Sequence, residues 1–162
     1  MKSSLLFVFA LLCIVNLHAQ KYVVEVSSGQ QNGSSWADAY TDLQTAIYEA
    51  SAGDTLWVAA GTYKPLIDTL GTIPALPENR TFWLKNGVVV YGGFNGTETS
   101  LSQRDPINQK ATLEGELAPG VFAEHVVYVY TGIHSTAVLD GFFVQHGRST
   151  MTSTDKNGSG VM

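Results

Sequence analysis

The chain has one cysteine, few charged side chains and no basic cluster, and each shortage excludes something. With Cys13 alone, no intrachain disulfide can form, so the fold must rest on packing and backbone pairing. Nine basic residues against fourteen acidic ones give a net charge of −5, and no basic block argues for nucleic acid or anionic lipid as a partner. His125, His134 and His146 are the histidines beyond the N-terminal segment, which carries His18. No two of them have zinc spacing and none neighbours a cysteine, so neither a metal nor a cofactor is expected. What is abundant is apolar: 44% hydrophobic residues, with 16 glycines, describe a globular chain of 162 residues long enough for one domain with a real core.

Residues 1–19 read as a secretory signal. Lys2 is the positive end, 5–15 (LLFVFALLCIV) the apolar stretch, and Leu17-His18-Ala19 places cleavage after Ala19. The apolar stretch is too short to cross about 30 Å of hydrocarbon as a helix. Leu12 before Cys13 and Ile14-Val15 after it do not fit a lipidation site. No second apolar run of spanning length follows, so no membrane span is expected after cleavage. The expected location is extracytoplasmic: periplasm, outer surface or medium.

Residues 20–162 then divide into one helix and many short strands. A helix is expected over 41–52: Thr41 and Gln44 fit a capping box, Leu43, Ala46, Ile47 and Ala50 form one apolar stripe, and Gly53 stops it. Strand-like runs occur at 22–26, 55–58, 81–84, 88–91, 111–114, 126–130 and 137–144, with long polar insertions at 66–79 and 95–110. Many short strands between turn signals mean a sandwich, a barrel or a β-solenoid. A weak repeat, LKNGVVV at 84–90 and VLDGFFV at 138–144, suits the corners of a solenoid, because Asn or Asp with Gly tolerates left-handed backbone. Periodicity alone leaves solenoid and sandwich level.

Five stretches bear on that choice: NGSSWADAYTDLQTA at 32–46, GDTLWVAAGTYKP at 53–65, YGGFNGTET at 91–99, Arg104-Asp105, and LDGF with QHG at 139–142 and 145–147. In this order they resemble the N-terminal part of secreted bacterial right-handed parallel β-helix proteins of the pectate-lyase-like superfamily. The resemblance covers most of 22–147. It implies an all-β right-handed parallel β-helix, with the helix near 41–52 covering one end of the stack. It implies far less about activity, since that architecture serves lyases, hydrolases, adhesins and scaffolds.

Four residues could carry chemistry. Glu114 and Glu116 fall on one face if both are in one strand, with carboxyls roughly 6–7 Å apart, a spacing open to a glycosidase pair or part of a calcium site. Two solvated acids at a strand end, bent at Gly115, is the plainer alternative. His146 and Arg148 place a base and a cation where β-elimination of an acidic sugar could use them, against a plainer role for His146 capping a corner. The glycines of 91–97 lack the lysine of a phosphate loop and read as tight turning. Arg104 is expected to pin the 95–110 insertion by an ion pair, and Trp57 and Trp83 to be core residues. Asn32, Asn95 and Asn157 head Asn-Gly-Ser/Thr sequons that serve equally as turns.

The expected function is a secreted or cell-surface scaffold or glycan-contact module without its own catalytic site, its partner an extracellular polysaccharide or cell-surface component. The alternative is the N-terminal fragment of a polysaccharide lyase or glycoside hydrolase. A third possibility assigns partner recognition to the 66–79 insertion. A glycine-rich ending at 158–162, with no cap after it, suggests a truncated chain that would self-associate through an open C-terminal coil.

Overall fold

The computed structural model describes residues 19–129, 132 and 135–148. The expected signal at 1–19 lies outside these except for Ala19, as do His134, Asn157 and the ending at 158–162. Apolar, β-branched runs supply most elements. They form β1 (Gln20–Val23), β2 (Thr55–Ala59), β3 (Gly61–Tyr63), β4 (Phe82–Trp83), β5 (Val89–Phe94), β6 (Ala111–Glu114), β7 (Glu116–Ala118), β8 (Val121–Phe122), β9 (Val127–Tyr128), β10 (Val138–Asp140) and β11 (Phe142–Gln145). Among the described residues one α-helix, α1 (Leu43–Glu49), accompanies them.

The solenoid expectation is corrected by the way these strands group. They fall into four separate small sheets: a parallel one in the order β1-β2-β5-β10, a parallel one in the order β11-β6-β3, a parallel pair β4-β9, and an antiparallel pair β7-β8. Among the described residues no closed coil joins them, and the elements are mostly strands in several short sheets, with one α-helix. Gly141, with left-handed backbone, turns the chain between β10 and β11. The two words taken as a repeat are also out of step. Asp140 pairs with Tyr91, which puts Gly141 beside Gly92, whereas Asn86 and Gly87 lie before β5 begins.

Gly92 and Gly141 have a packing reason to lack side chains. A Cβ on Gly92 would lie 2.5 Å from the Gly141 carbonyl oxygen, and one on Gly141 would lie 2.8 Å from that of Gly92. The two backbones meet where only hydrogens fit.

The apolar stripe of the helix is as expected. Leu43, Ala46, Ile47 and Ala50 are all buried, and α1 packs against β1, β2 and β4. Its ends differ from the expected ones. Asp42, not Thr41, is the N-cap: its Oδ1 accepts from the Thr45 amide at 2.6 Å. Gln44 turns inward instead of closing a capping box, and its Oε1 accepts from the Trp83 amide at 3.0 Å. The helix stops at Ala50, three residues short of Gly53, and the Lys85 ammonium donates to the carbonyls of Tyr48 and Ala50 there. A cation on the last carbonyls suits the negative end of the helix.

The core runs from α1 through Leu56, Val58, Phe82 and Val90 to Leu113, Val126 and Val127. Beside it Trp57 stacks on Phe94 with ring centroids 4.7 Å apart, and Trp36 packs against both Phe94 and Tyr22. Trp57 is buried as expected and Trp83 is half-buried. Among the described residues no helix is long and apolar enough to cross a membrane.

Candidate functional site

The four residues singled out in the sequence gather around one bend. Glu114 ends β6 and Glu116 begins β7, so Gly115 turns the chain between them and the two carboxyls do not share a strand face. A Cβ at Gly115 would lie 2.5 Å from the carbonyl oxygen of His146, which is how close β11 comes to this bend. Glu114 is buried and saturated: it accepts from the Glu116 amide at 2.7 Å, from Gln145 Nε2 at 2.9 Å and faces His146 Nδ1 at 2.9 Å. Burial alone would raise its pKa. The amide of Glu116, then Gln145 and His146, outweigh burial and hold it below the ordinary range.

Glu116 looks the other way and accepts from the Gly120 amide in the β7–β8 hairpin at 3.4 Å. His146 has φ of 57°, a left-handed backbone uncommon outside glycine, and half of its side chain faces solvent. Arg148 is held away from the carboxylates, its guanidinium 5.6 Å from the centre of the Phe122 ring and its amide bonded to the Ala123 carbonyl. The structure therefore joins Glu114 to His146 and leaves Glu116 and Arg148 on separate tasks.

The glycine-rich stretch 91–97 is filled from within. The amides of Asn95, Gly96 and Thr97 all donate to the buried carboxylate of Glu98, at 2.7, 3.1 and 3.0 Å. A turn whose amides already hold a carboxylate has none to offer a phosphate. Arg104 pins the insertion that follows, as expected from sequence: it pairs with Asp140 and lies 4.8 Å above the Tyr91 ring.

A cleft whose far wall the sequence reading did not foresee lies between the 66–79 insertion and the segment running into β9. It encloses about 310 Å³ and is lined by Asp68, Glu78 and Arg80 on one side and Glu124, His125 and Tyr128 on the other. The walls are tied by backbone, because Glu124 donates to the Glu78 carbonyl at 2.9 Å and Phe82 to that of Val126 at 2.8 Å. The insertion is stiffened from inside: the Asp68 carboxylate accepts from the amides of Leu70 and Thr72 and from the Thr72 hydroxyl. Those bonds, the Thr72 amide first, hold Asp68 below its usual pKa. Two nitrogens of the cleft side chains, Arg80 Nε and His125 Nδ1, are shielded from solvent and have no hydrogen-bond partner. The Tyr128 ring lies 6.1 Å from that of His125 and is half-buried.

The sequence signals for this cleft are the 66–79 insertion, read as a possible recognition loop, and the charged residues that crowd the edges of two apolar strands, at 78–80 and 124–125. Among the described residues, no three of His, Cys, Asp and Glu converge as metal ligands would. No family model, no curated protein and no solved structure matches the chain.

Proposed function

We propose that the chain is an exported carbohydrate-contact module that holds one sugar residue in the cleft between the 66–79 insertion and β9. The observation that carries this is the cleft's make-up. At about 310 Å³ it has the capacity of a small ligand site, roughly 300 Å³ being the lower end for such pockets. Its lining joins an aromatic ring, Tyr128, to both acceptors and donors, which is what a hydroxyl-bearing ring with apolar faces needs. Export is supported by the N-terminal signature alone.

A binding role is favoured over acid catalysis by the direction in which Glu114 is pushed. A glycosidase acid must have its pKa raised to stay protonated near neutrality. Glu114 is held low, with both oxygens engaged in bonds that fix β6 to β11.

The test is a panel of immobilised glycans probed with the protein and with Tyr128→Ala. The reading expects binding to a subset of the panel and its loss in the variant, at an unchanged fold by circular dichroism. Turnover of any glycan, or binding indifferent to Tyr128, would contradict it.

A further inference from the structure

The charges around the cleft say which sugars it takes, an inference that rests on the carbohydrate reading above. Three carboxylates, Asp68, Glu78 and Glu124, line it against one guanidinium, that of Arg80. Asp68 is held ionised by its own turn, and the chain as a whole is acidic at −5. A uronic acid would bring a further carboxylate into this field with a single cation to meet it, and like charges at short range in a partly enclosed site repel.

The hydrogen-bonding inventory points the same way. Arg80 Nε–H is a donor only and lacks an acceptor, and His125 Nδ1 also lacks a partner. A buried donor left without an acceptor is costly. A hydroxyl meeting either nitrogen, after a small rotation of its side chain, removes that cost. The same hydroxyl has a proton to give to Glu78 or Asp68, which a carboxylate or sulfate has not. We infer that the cleft selects a neutral, hydroxyl-rich sugar residue over a uronate or sulfated one, with Arg80 donating to a hydroxyl oxygen and a lining carboxylate accepting from a hydroxyl proton.

This sets the cleft apart from the acidic-sugar chemistry for which His146 and Arg148 were candidates. The discriminating experiment titrates the protein with matched neutral and uronate oligosaccharides by calorimetry, at low salt and at about 0.5 M NaCl, alongside Arg80→Lys and Glu78→Gln. The inference expects the neutral ligand to bind at least about tenfold more tightly at low salt, a gap of about 1.4 kcal/mol. It expects the gap to narrow at high salt, where the Debye length is only a few Å. Arg80→Lys keeps the charge but loses the planar donors, and should weaken the neutral ligand about fivefold or more. Glu78→Gln should lessen the discrimination against the uronate. Tighter binding of the uronate, or an Arg80→Lys variant that binds the neutral ligand as well as before, would overturn the inference and leave the carbohydrate reading standing. Binding of neither class would overturn both.

Discussion

Two buried carboxylates show how single residues hold this chain together without a disulfide. Glu114 ties β6 to the end of β11, and Asp54 ties β1 to the loop after α1. Asp54 accepts from the Ser51 amide at 2.9 Å and pairs with Lys21 of β1 at 3.5 Å. Burial pushes both groups up, and the bonds they accept outweigh it, so both are held below their usual pKa. A carboxyl with a depressed folded pKa stabilises the fold above its unfolded value, near 4, and that contribution goes as pH falls through the folded value. Melting temperature should therefore drop steeply below about pH 4. Glu114→Gln, which keeps the shape but loses the charge, should cost about 1.5–3 kcal/mol at pH 7 and flatten that acid limb. Denaturant unfolding at pH 7 and pH 3 checks this, and equal loss at both pH values would show that the charge is not what matters.

At the scale of elements, α1 was legible and its ends were not. A four-point apolar stripe survives any shift of boundary, so burial of Leu43 and Ile47 could be read directly. The caps depend on which of two adjacent polar residues faces the first amides, and Thr41 and Asp42 are both good caps. Asp42→Ala should cost about 1 kcal/mol and Thr41→Ala much less, as thermal melts of the pair would show. The reverse order would restore the capping box read from sequence. Among the strands, β6 lies where its apolar alternation placed it, but β3, β7 and β8 have two or three residues each, too few for any period to show. The glycine words misled for a related reason. Gly87 and Gly141 have the same left-handed backbone yet stand at different points relative to β5 and β10. Gly141→Ala should destabilise by more than the usual surface change, because its Cβ would meet the Gly92 carbonyl, whereas Gly96→Ala, with nothing near it, carries only the backbone strain.

Over the whole molecule, the candidate site follows from strand pairing rather than from any motif. Asp68, Arg80 and Tyr128 are far apart in sequence and meet only because Phe82 pairs with Val127 and Trp83 with Tyr128. No spacing rule would have joined them, while Glu114 and His146 did come together because Glu114 ends β6 and His146 follows β11, its partner in the same sheet. The insertion 66–79 is the wall that makes the cleft, and it also carries four exposed apolar residues, Leu66, Leu70, Ile73 and Leu76. Its turn is bonded mostly to itself through Asp68 and Thr72, so replacing 69–75 by a short glycine-serine link should abolish sugar binding with little change in melting temperature. A large loss of stability on that replacement would show instead that the insertion covers the core. The most direct test of the whole account is a ¹⁵N chemical-shift map of the protein titrated with the tightest glycan of the panel. The account predicts that the shifted amides cluster at 68–70, 78–81 and 124–128. Shifts centred on Glu114 and His146, or on the aromatic group around Trp36, with the cleft unmoved, would contradict it.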